Sequence, residues 1–228
     1  MPLIPKRLES AVNGVLEIAA RLVIFTRLSP NLLSTLGIAV GVVAAVLFAR
    51  GEFTFAGVLV ATSGVLDLLD GKIARNSGKT SVFGAVFDST VDRATELVLY
   101  TGIGAYFILR DMHWTSLIVV FAAGGSWLVS YVRARAESFG VSCHVGFLRR
   151  GERFFLLSGG AILSFAPQPF HDLIIRLLDM LGLNIRYAFP PMPLTIAVVI
   201  IAVLSPVTVV QRLAYVWRVT RSSNPKVH

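Results

Sequence analysis

Six long stretches of this 228-residue chain contain no Asp, Glu, Lys or Arg: residues 28–49, 53–66, 97–109, 114–132, 154–170 and 187–211. About twenty apolar residues in a helix cross the hydrocarbon core of a bilayer. Charged residues make up only 15% of the chain and hydrophobic ones 55%, whereas a soluble domain carries about 25% charge. The second and third stretches are short only because an acidic segment interrupts them. The pattern predicts an all-α integral membrane protein with six transmembrane helices.

Charge sets the expected orientation. Of the 21 Lys and Arg, 17 fall before the first stretch, in 72–93, in 133–153 and from Arg212 onward; only Arg50, Arg110, Arg176 and Arg186 fall in the opposite loops. The positive-inside rule then puts both termini and the acidic segment on the cytoplasmic side of the cell membrane. The net charge of +8 reflects that topology and an affinity for anionic lipid, and no basic tract stands apart to suggest nucleic acid. Residues 1–28 read as an amphipathic helix in the cytoplasmic interface, with Lys6, Asn13, Glu17 and Arg21 against Leu8, Val12, Leu16 and Ala19, and not as a cleaved leader. A second interfacial piece is expected at 171–183, where Asp172, Arg176 and Asp179 share a face and Gly182 ends the turn. The expected organisation is therefore 1–28 interfacial helix, 29–218 six-helix transmembrane domain and 219–228 cytoplasmic tail. The single Cys143 excludes an intramolecular disulfide.

The acidic segment carries the chemistry. Asp67 and Asp70 are three residues apart, and Asp88 and Asp92 are four apart, so on helices each pair shares a face. Ionisable groups at membrane depth are costly and mark function. Two such helices face to face would gather four hard oxygen ligands, suited to one or two Mg²⁺ or Mn²⁺ ions and not to zinc. Gly71 and Gly84 allow close approach of a ligand or helix. Lys72 and Arg75 add positive charge beside the acids, which suits a metal-bound diphosphate.

The full pattern, D-x-x-D-G-x-x-A-R-x8-G-x-x-x-D-x-x-x-D, is met by Asp67, Asp70, Gly71, Ala74, Arg75, Gly84, Asp88 and Asp92. It resembles the signature of the CDP-alcohol phosphatidyltransferase family. The resemblance implies a CDP-linked lipid, CDP-diacylglycerol, whose diphosphate meets a metal held by Asp67, Asp70 and Asp88. Asp92 takes the proton of the incoming hydroxyl and also reaches a second metal. Gly71, Ala74 and Gly84 leave room for the cytidine, Arg75 flanks the diphosphate, and Asn31 and Ser34, before the first span, bond to the nucleotide. The same resemblance implies a homodimer. Gly102, Gly104, Gly124 and Gly125 permit close helix contacts without saying where they fall.

A second motif narrows the acceptor. Ser130-Tyr-Val-Arg133-Ala-Arg135-Ala-Glu137 followed by Gly146-Phe-Leu-Arg-Arg150-Gly-Glu152-Arg153 resembles the branch of that family that makes phosphatidylinositol phosphate from inositol 1-phosphate. It implies a basic pocket for the acceptor's phosphate at Ser130, Arg133, Arg153 and Arg212. Arg133 stands where that branch has Lys, Arg149 where it tends to have an acid, and the 166–193 connection is longer. Arg149, Arg150 and Arg218 read as topogenic arginines at helix ends. Rival acceptors for the same chemistry are glycerol 3-phosphate, serine and free inositol; the basic residues favour a phosphorylated polyol. A cation transporter is the rival from another class, but it would spread its acids across the bilayer.

Overall fold

The computed structural model describes residues 30–76, 81–165, 180 and 191–223, with the backbone alone at 30, 31, 33, 70–76, 222 and 223. The interfacial helix expected over 1–28 and the piece at 171–183, Met180 apart, lie outside the described residues. Among the described residues there are six helices and no strand: α1 (Pro30–Arg50), α2 (Phe53–Asn76), α3 (Val82–Ile108), α4 (His113–Ser138), α5 (Arg150–Leu163) and α6 (Met192–Ser223). The last helix continues past residue 218, where the membrane domain was expected to end.

Local chemistry sets the boundaries. Pro30 opens α1, where a missing N–H costs nothing. Gly51, at φ +89°, closes it, with its N–H on the Phe48 carbonyl and the Glu52 N–H on Leu47, the left-handed stop that glycine permits. Ser81 caps α3, its hydroxyl accepting from the Gly84 N–H at 2.9 Å. Asp88 and Asp92 consequently lie in the second and third turns of α3. Asp67 lies within α2, which runs on through Gly71 to Asn76.

α1 packs on α2 and α3, α2 on α5, α3 on α4, and α6 closes the bundle against α4 and α5. Phe48, Leu99, Ile103, Phe107, Leu157 and Ile201 are completely buried at its centre. Two of the small residues flagged above serve these crossings. A side chain at Gly102 would strike the Ala45 backbone on α1, and one at Gly125 would meet Ser205 on α6 at 2.8 Å. These contacts lie within one chain, so neither glycine speaks for a dimer interface.

The outside of the bundle is apolar. Val43, Phe55, Trp114, Val120, Phe121 and Val203 are all more than half exposed, a surface too greasy for a water-soluble monomer and natural in lipid. Among the described residues two helices are long and apolar enough to cross a membrane, His113–Ser138 and Met192–Arg221; the apolar stretches Ser34–Arg50 and Phe53–Leu69 are shorter.

Candidate active site

α2 and α3 bring three of the four signature acids together. One carboxylate oxygen from each of Asp67, Asp88 and Asp92 lies within 4.8 Å of the others. Asp88 and Asp92 share a face because they are one turn apart on α3. Asp67 meets them from α2. The side chains of Asp70, Ala74, Arg75 and Asn31 lie outside the described atoms, and Gly71 is described by its backbone alone. Ser34 is buried and lines the same cavity, together with Gly37, Ser63, Thr95 and Arg150. The cavity measures about 10 Å³, space for one water-sized body. Gly84 is half-buried one turn before Asp88, at the capped start of α3.

The positive partner of this cluster is Arg150. Its Nη1 lies 2.7 Å from Asp67 Oδ2 and 2.6 Å from Asp92 Oδ2. The expectation that Arg150 is merely topogenic is therefore corrected: it points into the acid cluster and bridges two signature acids. Its guanidinium also lies 5.0 Å from the Phe154 ring. Two buried atoms in this arrangement have no hydrogen-bond partner, Asp88 Oδ1 and Arg150 Nε. An unpaired buried carboxylate oxygen is costly, and a hard divalent cation would satisfy it. The donor set of clustered carboxylate oxygens thus fits Mg²⁺ or Mn²⁺. Arg93 Nη1 approaches Asp92 Oδ2 only to 3.7 Å.

One turn further along α3, and three residues further along α5, a second ion pair forms. Arg153 Nε and Nη2 donate to the two oxygens of Glu96 at 2.7 and 3.0 Å, and Nη1 donates to the Leu148 carbonyl. Both side chains are completely buried. Arg153 was expected to bind the acceptor's phosphate. The fold instead commits its guanidinium to Glu96, because packing α5 on α2 carries its first turn inward, opposite α3.

The other expected pocket residues lie at the junction of α4, the 141–149 loop and α6. Arg212 donates through Nε to the Val145 carbonyl at 3.0 Å and through Nη1 to the Val129 carbonyl. Ser130 is buried beside that anchor. Arg133 is half-exposed and donates to Glu137 Oε1 at 2.8 Å. The loop is clamped by Thr208, whose hydroxyl accepts the Leu148 N–H at 3.2 Å. Gly146, at φ +122°, lets it lie flat on α6, since a Cβ there would strike Thr208. Alongside runs an open groove of about 390 Å³, lined by Gly146, Phe147, Gln211, Tyr215 and Arg218. Arg149 caps α5 and pairs with Glu152 at 3.4 Å.

Sequence reasoning passed over Arg150 as a partner and Glu96 altogether. A signal existed for both. Asp88, Asp92 and Glu96 recur at spacing four on an apolar helix, and Arg150 and Arg153 at spacing three. A run of buried acids on one helix face demands a basic counterpart.

An all-helical membrane bundle with a carboxylate cluster fit for a divalent cation defines a class of metal-dependent membrane enzyme. The chain belongs to the CDP-alcohol phosphatidyltransferase family, whose model matches residues 27–203. It is 31% identical over 183 residues to the archaetidylinositol phosphate synthase of Methanothermobacter thermautotrophicus, covering 80% of each chain. It is 33% identical over 196 residues to the phosphatidylinositol phosphate synthase of Mycobacterium tuberculosis, covering 83% of this chain and 80% of the relative. The crystal structure of that M. tuberculosis enzyme with CDP-DAG bound superposes with a TM-score of 0.70 at 28% identity, over 90% of this chain and 94% of the other. A second crystal structure of it, in complex with manganese and citrate, gives a TM-score of 0.70.

Proposed function

We propose that this chain transfers the phosphatidyl group of CDP-diacylglycerol to inositol 1-phosphate and releases CMP. The observation that carries the reaction class is the convergence of Asp67, Asp88 and Asp92 beside Arg150, in a family whose signature is complete here. Support for the acceptor comes from the relatives: the archaeal and mycobacterial enzymes differ in the lipid of their names and share inositol phosphate.

Asp67, Asp88, Asp92 and, by its place in the signature, Asp70 would hold the divalent cations. When bound, they supply charge neutralisation at the diphosphate and at the departing phosphate. Asp92 accepts the proton of the acceptor hydroxyl. The hydroxyl oxygen forms a bond to the β-phosphorus, the one bearing the lipid, as the bond from that phosphorus to the bridging oxygen breaks and its electron pair leaves with CMP. Arg150 and Arg75 offer positive charge to the phosphates during this displacement. Asn31, Ser34, Gly71, Ala74 and Gly84 form the nucleotide side of the cleft. Ser130, Arg133 and Arg212, bordering the loop that Arg153 and Thr208 hold down, form the acceptor side.

The reading includes six membrane spans, cytoplasmic termini and site, an interfacial N-terminal helix and a homodimer. The exposed apolar faces of the bundle and the charge asymmetry of its loops support the spans and the orientation. The test is an acceptor panel with purified protein, CDP-diacylglycerol and Mg²⁺, following CMP. Inositol 1-phosphate should give the highest turnover. Preference for glycerol 3-phosphate, serine or free inositol would overturn the acceptor and leave the phosphotransfer standing.

A further inference from the structure

We propose that Arg150 is the resident counter-cation of the acid cluster, and that a divalent cation and the Arg150 guanidinium compete for the same two acids, Asp67 and Asp92. The inference rests on the reading of the acid cluster as the metal site. Nη1 bridges the two oxygens at 2.7 and 2.6 Å, a two-acid span that a metal ion would also make. A divalent cation held by these carboxylates would set like charge against Nη1 with little water between them, so each weakens the other's hold on the two acids.

The surroundings suit an exchange. The side chains of Arg150, Asp67 and Asp92 keep 24%, 27% and 13% exposure, so an ion can reach them and the guanidinium has somewhere to go. Nε is unpaired where it stands, so the present seat does not satisfy the whole group. One helical turn on, the closed pair of Arg153 and Glu96 fixes the start of α5. Arg150 can therefore swing out without α5 shifting. With the acids held by a cation instead, the Arg150 guanidinium would stand at the mouth of the cleft, free for the phosphate of an incoming substrate. Arg150 is thus a positioning residue that sets metal affinity and the order of binding.

The test is Mn²⁺ binding to the full chain in detergent without substrates, read from the loss of the free-ion paramagnetic resonance signal. Arg150→Gln should bind Mn²⁺ about tenfold or more tightly than wild type, since a competing charge-assisted contact is gone. Its metal-free melting temperature should fall, with Mn²⁺ raising it by more than in wild type. Arg150→Lys keeps the charge but replaces the planar guanidinium with a compact, more strongly hydrated ammonium; it should bind about threefold more tightly, and it carries the test if the Gln variant does not fold. Equal or weaker Mn²⁺ binding in the variant that folds overturns the competition. Asp88→Asn separates the premise: if it binds Mn²⁺ as wild type does, the acid cluster is not the metal site and the underlying reading fails instead.

Discussion

Two ion-pair rungs join α3 to α5, one helical turn apart, and they are built in opposite ways. At the inner rung Arg153 meets both oxygens of Glu96, gives its remaining nitrogen to the Leu148 carbonyl, and is sealed from solvent with its partner. At the outer rung Arg150 spreads one nitrogen over two acids, leaves Nε unpaired and stays partly exposed. The same two residue types thus make a permanent brace and a replaceable contact. The difference lies in satisfaction and burial. A buried charge with all its partners has no better state to reach, while removing either partner strands the other in a low dielectric. A half-open cluster with an unpaired oxygen on Asp88 is held by less, and a competing cation would improve it.

The sharpest way to break the comparison is at the acids. Asp67→Ala and Asp88→Ala should each abolish CMP release while the fold persists, and a chelator should do the same to the wild type. Activity without divalent cation would show that the outer rung serves structure as the inner one does. Asp92→Asn comes next. It keeps the side chain's size and loses the proton acceptor, so turnover should fall about 10²–10⁴-fold with CDP-lipid binding better preserved. Near-wild-type turnover would remove Asp92 from the proton transfer.

Arg153→Ala is where two accounts of one residue part. As a pocket arginine it would raise the apparent KM for inositol 1-phosphate and leave CDP-diacylglycerol alone. As a brace it should cost about 3–5 kcal/mol of stability, seen as a lower melting temperature in detergent with both substrates affected alike. Glu96→Ala should match it. A selective KM effect with unchanged melting would return Arg153 to the acceptor pocket. Gly146→Ala should be milder, about 1–3 kcal/mol, because the new methyl meets Thr208 in a loop already at φ +122°. Thr208→Val is the smallest expected change, about 1 kcal/mol, from loss of the bond to the Leu148 N–H.

Much of this protein was legible in the chain. The charge-free stretches foretold the six helices seen among the described residues, because an apolar run coils to satisfy its own backbone. Asp88 and Asp92, four apart, foretold a shared face, because helical geometry is local. The signature around them foretold the family. These inferences need only neighbours in sequence. What only the tertiary structure decided is the division of labour among the arginines. Arg133, Arg149, Arg150, Arg153 and Arg212 carry the same charge on the same kind of side chain, and nothing local separates them. Arg150 found Asp67 across 83 residues and Arg153 found Glu96 across 57. Those partners were set by how α5 seats against α2 and faces α3. An arginine's role is fixed by which acid lies within reach of its long side chain and how much water remains there, and both are properties of packing.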